Sequence, residues 1–271
     1  MLKRTITGAA LVLVLIAVLL FLPVVFTPIL LSAMVAIAAY ELLWSTKLVE
    51  NGRLVCYGAI TAVAVVWWSY CGMVYAWALA GVLIFTGACI CELLISHGKL
   101  PFQQVALAAI AGFLVPYLLS ALVRIVLMAH GRYLILAPFV MAFMTDTGAY
   151  LVGCSMGRHK LCPIISPKKT VEGLVGGILG GIVGMILYAL VLSKAWHFQV
   201  NYLSAAIYGA AGAGTATLGD LLFSVIKRQS GIKDYGKLLP GHGGILDRFD
   251  SVTLVAPVAE VLFLILPLAV K

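Results

Sequence analysis

Residues 171–193 read VEGLVGGILGGIVGMILYALVLS, with no charged side chain from Gly173 to Ser193. A helix needs about 20 mostly apolar residues to cross the hydrocarbon of a bilayer, and a surface helix of a soluble domain would carry charge on its outer face. This run therefore predicts a membrane span. Its glycines form two offset ladders, Gly173/Gly177/Gly181 and Gly176/Gly180/Gly184. Small residues at that spacing let a neighbouring helix approach closely. Embedded among Ile, Leu and Val, they suit packing and not a nucleotide-binding loop.

Outward from this run, similar segments recur along all 271 residues. Nine candidates fit: 6–24, 28–45, 56–71, 74–95, 105–128, 134–152, 171–193, 204–226 and 249–270, the third being the shortest. The chain is 63% hydrophobic and 10% charged, with mean hydropathy +1.12, which excludes an ordinary soluble domain. The expected fold is all-α, a polytopic integral membrane protein of about nine transmembrane helices. The run from Ile6 to Phe26 is long for a signal-peptide core, and no clear small-residue cleavage site follows it, so it is expected to be an uncleaved first span. The six cysteines show no CxxC spacing, and most lie in apolar segments as small buried hydrophobes.

With nine spans, the N-terminus and the loops after the second, fourth, sixth and eighth share one side. That side holds most of the 18 Lys and Arg residues, from Lys3 and Arg4 to Lys237 and Arg248. The positive-inside rule then places the N-terminus in the cytoplasm. Because the basic residues are dispersed among membrane loops, the net charge of +8 does not indicate a nucleic-acid partner. Most of the acidic residues lie from Asp146 onward. Residues 1–130 are therefore read as a scaffold of N-terminal transmembrane helices, and 131–271 as the C-terminal transmembrane catalytic region.

The densest polar stretch is 224–250, SVIKRQSGIKDYGKLLPGHGGILDRFD. Cations suit phosphates, carboxylates suit a divalent metal, and Gly241, Gly243 and Gly244 let backbone approach a ligand. Just before and within it, Thr217, Asp220, Ser224 and Lys227 fall on one helical face. An acid such as Asp220, about two turns inside a span, is expensive unless it faces a wet cavity, a metal or a cation. An Asp220–Lys227 pair that only helps helices pack is the plainer reading. Asp247 and Asp250 share a face at the start of the ninth segment and with Asp220 would form an oxygen-rich site suited to Mg²⁺; helix N-capping by Asp247 is the alternative. His242 reads equally as a phosphate contact, a proton-transfer group or a turn residue.

A second polar cluster is 153–173, GCSMGRHKLCPIISPKKTVEG. Ser166, Lys168, Lys169 and Thr170 can gather phosphate oxygens beside a helix start, although each lysine alone would suit topology. Asp146 lies within reach, in the preceding span. Glu41 and Glu92 sit at the cytoplasmic ends of the second and fourth segments, where pairing with cations is the simple reading.

These residues resemble the phosphatidate cytidylyltransferases, or CDP-diacylglycerol synthases. The resemblance is carried by Ser224, Lys227, Arg228, Lys233, Asp234, Gly236, Pro240, His242, Gly243, Gly244, Asp247, Arg248 and Asp250. Gly219-Asp220, Asp146, Ser166-Pro167-Lys168-Lys169-Thr170 and Glu172-Gly173 add to it. It is sharp from about residue 145 to 257 and general before that. Two positions depart: Val171 stands where relatives often have Trp, and Phe223 where they often have Glu, which removes a carboxylate from the eighth segment.

The resemblance implies the reaction CTP + phosphatidate → CDP-diacylglycerol + diphosphate in phospholipid biosynthesis. It implies catalytic roles for Asp220, Asp247, Lys227, Arg228 and Asp146, with Asp220, Asp247 and Asp250 as metal ligands. Ser166, Lys168, Lys169, Thr170, Ser224, Lys233, His242, Gly243, Gly244 and Arg248 would contact substrate. It further implies Mg²⁺ with K⁺ beside it, a homodimer, and a bacterial plasma membrane with the site facing the cytoplasm. An ion or phosphometabolite transporter is the alternative, since intramembrane acids and glycine-rich helices suit one too.

Overall fold

The computed structural model describes residues 13–72, 74–97, 99–236, 238 and 243–270. Seven helices among them are long and apolar enough to cross a membrane: α1 (Phe26–Ser45), α2 (Gly52–Tyr70), α3 (Tyr75–Ile95), α4 (Phe102–Leu127), α5 (Gly131–Met156), α6 (Val171–Trp196) and α7 (Tyr202–Gln229). At 1.5 Å per residue even the shortest rises close to 30 Å, about the hydrocarbon thickness. The protein is a helical, polytopic membrane protein. The third expected segment, the shortest from sequence, is a 19-residue helix starting at Gly52.

Two expected spans differ from these seven. Residues 6–12 of the first lie outside the described residues; from residue 13 the chain is helical and ends in a π-turn, Ala17–Phe21. The last corresponds to α8, Leu246–Ile265, which is 20 residues long. Every 18-residue window of α8 contains at least Arg248, Asp250 and Glu260, a charge density unlike that of the other seven.

The chain forms two compact units. The first comprises Met1–Ala129 and Gln229–Phe249. Within it, α1 packs along α2, and α2 meets α4 where a Cβ on Gly112 would lie 3.1 Å from the Gly58 carbonyl oxygen. Asn51 caps α2 by accepting the Arg53 N–H at 2.9 Å. In α4, Pro116 lacks the N–H that a regular helix would use, and a π-turn at Ile110–Leu114 precedes it. Helix α3 buries only Phe85, Cys89 and Glu92; its exposed Trp77, Leu83, Ile84 and Leu94 are the side chains a lipid-facing helix presents. Glu92, 4% exposed, accepts from Asn51 Nδ2, Arg53 and the Tyr57 hydroxyl at 3.1–3.2 Å. That matches the simple cation-pairing reading.

The second unit comprises His130–Arg228 and Asp250–Lys271. Its spine is the α5–α6 pair, and the glycine ladders make the contact. A Cβ on Gly180 would lie 2.6 Å from the Met144 carbonyl oxygen, and one on Gly177 would lie 3.2 Å from that of Thr145. Gly181 meets Gly209 of α7, with a Cβ 2.6 Å from its carbonyl oxygen. Without side chains at these points the backbones approach closely enough for dispersion contacts to hold helices together where the hydrophobic effect does not.

The α5–α6 connection is a hairpin, β1 (Lys160–Cys162) antiparallel to β2 (Ser166–Thr170), with an irregularity between Lys160 and Cys162. Thr170 ends the hairpin and caps α6, its hydroxyl accepting the Gly173 N–H at 3.1 Å. A second short pair, β3 (Gln199–Val200) with β4 (Ala269–Val270), ties the α6–α7 connection to the chain after α8. Tyr208 supports it by donating to the Leu266 carbonyl at 3.1 Å.

Candidate active site

Helix α7 brings its predicted polar stripe together within the second unit. Asp220 pairs with Lys169 of β2, Nζ to Oδ2 at 2.5 Å. The Ser224 hydroxyl lies 3.4 Å from the other Asp220 oxygen. One turn on, Lys227 faces Asp250 of α8 at 3.9 Å. The α7–α8 approach that allows this passes through Gly219, where a Cβ would lie 2.8 Å from the Asp250 carbonyl oxygen. Thr217 lines a pocket of about 200 Å³ together with Asp146 and Tyr150 of α5, Lys168, Lys169 and Thr170 of the hairpin, and Gly173 of α6. The plain Asp220–Lys227 pairing is thus replaced by two crossed pairs, Asp220 with Lys169 and Asp250 with Lys227.

The two pairs differ in character. The Lys169 and Asp220 side chains are about a quarter exposed (24% and 27%), whereas Lys227 and Asp250 are 11% and 12% exposed. An ion pair with access to water is worth about 1 kcal/mol or less, so the Lys169–Asp220 contact is weak enough to be exchanged for a ligand. Breaking a buried pair leaves a stranded charge and costs several times more. Asp146, Asp220 and Asp250 are near enough for their charges to act on one another, with Lys169 and Lys227 among them. Among the described residues, no three His, Cys, Asp or Glu side chains close into a metal-holding cage.

The hairpin is held where it can serve this pocket. Glu172 accepts the Arg158 N–H at 3.0 Å and the His159 N–H at 3.2 Å, and its carboxylate lies 2.6 Å from His159 Nδ1. Arg228 donates from Nε to the Ile165 carbonyl at 3.2 Å, fixing the hairpin turn to the end of α7. Ser166 lies on β2 beside the two lysines. The acid–histidine clamp escaped the sequence reading, although Glu172 in the first turn of a span was its visible signal.

In the first unit, the 229–249 segment carries the remaining candidates. Asp247, in the first turn of α8, accepts the N–H groups of Tyr235 and Gly244 through Oδ2 at 2.8 and 2.9 Å. Gly243 has a left-handed backbone, φ +82°. Lys233 and Arg248 are exposed. His242, Lys237, Pro240 and Gly241 lie outside the described residues. The residue whose partner the sequence did not indicate is Glu41. It accepts the Ile245 and Leu246 N–H groups at 3.1 and 2.9 Å, backbone partners that the simple cation reading did not foresee.

Seven membrane-length helices, with a pocket lined by Asp146, Lys168 and Lys169 and two lysine–aspartate pairs in the second unit, define a polytopic membrane protein with a mixed-charge polar cluster. The sequence model of the cytidylyltransferase family matches residues 2–266, and the chain belongs to that family. Over 139 residues it is 40% identical to the phosphatidate cytidylyltransferase of Staphylococcus saprophyticus and 41% identical to that of Staphylococcus aureus. Over 136 residues it is 42% identical to that of Staphylococcus epidermidis. Each alignment covers 50% of this chain and 51% of the relative. In these alignments the chain spans about half the length of the curated relatives it matches.

Proposed function

We propose that this chain is a phosphatidate cytidylyltransferase, converting CTP and phosphatidate to CDP-diacylglycerol and diphosphate. The observation that carries the reading is the exchangeable Lys169–Asp220 pair at a pocket lined by a second lysine, Lys168, in a chain of the cytidylyltransferase family. A triphosphate takes over the lysine that the aspartate holds, and the aspartate is released at the same moment for other duties.

In the transfer, an oxygen of the phosphatidate phosphate forms a bond to the α-phosphorus of CTP. The bond from that phosphorus to the bridging oxygen breaks, and diphosphate leaves with the electron pair. The nucleophile is already ionised, so no general base is needed; positioning and charge neutralisation dominate the barrier. Lys168 and Lys169 hold the triphosphate, with Ser166, Thr170 and the start of α6 beside them. Lys227 and Arg228 neutralise phosphate charge at the end of α7. Ser224, Lys233, His242, Gly243, Gly244 and Arg248 complete the substrate contacts.

The donor set fits Mg²⁺. Asp146, Asp220 and Asp250 offer hard oxygen atoms in one electrostatic group without a closed cage, and Mg²⁺ binds through one or two carboxylates and fills its shell with water and phosphate oxygens. Asp220 leads this group, with Asp250 and Asp146 after it; Asp247 is proposed as a ligand on the sequence motif alone. Bound there, Mg²⁺ supplies Lewis-acid charge neutralisation on the phosphates. K⁺ beside it, a homodimer, nine spans with a cytoplasmic N-terminus, and a bacterial plasma membrane as location complete the proposal.

The test uses purified protein in proteoliposomes containing phosphatidate. Supplied with CTP and Mg²⁺, it forms CDP-diacylglycerol and diphosphate in equal amounts. Uptake of the nucleotide or another phosphometabolite without lipid turnover would instead establish the transporter.

A further inference from the structure

We infer that Glu41 is a positioning residue for the C-terminal polar motif: its carboxylate ties off the first N–H groups of α8 and so fixes the backbone that carries Asp247. The inference rests on the proposed role of Asp247 at the site.

Glu41 lies in the last turns of α1 and is only 3% exposed. Its two oxygens take one donor each, the Ile245 N–H on Oε1 and the Leu246 N–H on Oε2. A helix start leaves four N–H groups unpaired, and a side chain at the cap normally serves them. Here the side chain in the first turn, Asp247, turns back to Tyr235 and Gly244, and the cap comes from 204 positions upstream of Ile245. The two acids are close enough for their charges to act on each other. Backbone donors and the positive end of the helix offset that repulsion.

A second observation supports a built contact. A Cβ on Gly244 would lie 2.5 Å from both Glu41 oxygens, and a Cβ on Gly236 would collide with the same carboxylate. The two glycines thus leave room for Glu41 as well as giving the loop its freedom. Using both oxygens on consecutive N–H groups sets the orientation of those peptide planes as well as their place. Asp247 comes directly after them, so its carboxylate inherits that orientation. A residue of the scaffold region thereby acts on the chemistry through the motif that it holds.

The test compares wild type with Glu41→Gln and Glu41→Asp in detergent. The amide of Gln keeps one acceptor and presents a donor where the second was; Asp withdraws the carboxylate by one methylene. Hydrogen–deuterium exchange of the peptide covering 235–249 should rise about tenfold in both variants, the change expected on losing a charged hydrogen bond, while α6 stays protected. The Mg²⁺ concentration for half-maximal turnover should rise several-fold, and Asp should retain more activity than Gln. A merely structural contact would lower the active fraction without moving the Mg²⁺ dependence, and that result overturns the inference, as does unchanged exchange in 235–249. If wild type transfers no cytidylyl group, the proposed activity fails, and the exchange measurement alone decides the place of Glu41. If exchange rises throughout the Gln variant, the Asp variant decides by the same two readouts.

Discussion

Lys169 Nζ lies 2.5 Å from Asp220 Oδ2, joining the β1–β2 hairpin to the polar stripe of α7. Neither side chain is deeply buried, so the pair can open without stranding a charge in hydrocarbon.

In the proposed function the pair serves substrate before it serves stability. Lys169→Met and Asp220→Asn should each reduce turnover by about 100-fold, the effect of removing one electrostatic contact to a developing charge, while thermal unfolding in detergent shifts little. The exchanged pair, Lys169→Asp with Asp220→Lys, restores the attraction but puts each charge on the wrong element. Its turnover should stay as low as that of the single variants; recovery would mark the pair as a mere anchor.

Lys227 and Asp250 predict the opposite balance. Both side chains are nearly buried, at 11% and 12% exposure. Lys227→Met leaves an acid stranded and should destabilise the protein by about 3 kcal/mol. Removing both charges, as Lys227→Met with Asp250→Leu, should recover most of that stability and none of the activity. Unfolding in urea measures the first part, and turnover the second.

The α5–α6 crossing makes a purely mechanical prediction. Gly180→Val drives side-chain carbons into the Met144 and Gly148 backbone and should cost about 3 kcal/mol. Gly214→Ala in α7 and Gly81→Ala in α3 meet nothing within 4 Å. They should leave stability unchanged or raise it by up to about 1 kcal/mol, the helix-propensity gain of Ala over Gly. Equal losses at all three positions would show that the ladders are not the contact.

Cation removal separates the carboxylates from the lysines. Chelation should abolish turnover, and added Mg²⁺ should restore it. Fluorescent-nucleotide binding in the chelated protein should weaken but persist, because Lys168 and Lys169 remain. Binding that vanishes with the cation would place the triphosphate on the metal and not on the hairpin.

Much of the fold was readable from the sequence, and the exceptions have physical causes. The uncharged run after Glu172 specifies a span by itself, because a bilayer imposes length and apolarity on a single helix. Its ladders were legible as packing faces for the same local reason. The hairpin at 160–170 was not, since a few polar residues around Pro163 and Pro167 carry no periodic signal. Pairings were hidden as well. Asp220 shares a helical face with Lys227, yet it takes Lys169 from a strand far away in sequence. Glu41 was visible as an acid at the end of a span, but its partners are backbone N–H groups 204 and 205 positions away, which no side-chain pattern announces. Asp247 fitted both a ligand and an N-terminal role; the structure shows its Oδ2 accepting backbone N–H groups of the loop that precedes α8.

The most direct measurement follows label from α-³²P-CTP into chloroform-soluble lipid, with purified protein, phosphatidate and Mg²⁺. Wild type should yield radiolabelled CDP-diacylglycerol, and folded Asp220→Asn about 100-fold less. No labelled lipid from folded wild type, or equal label from the variant, would contradict the proposed reaction and its site.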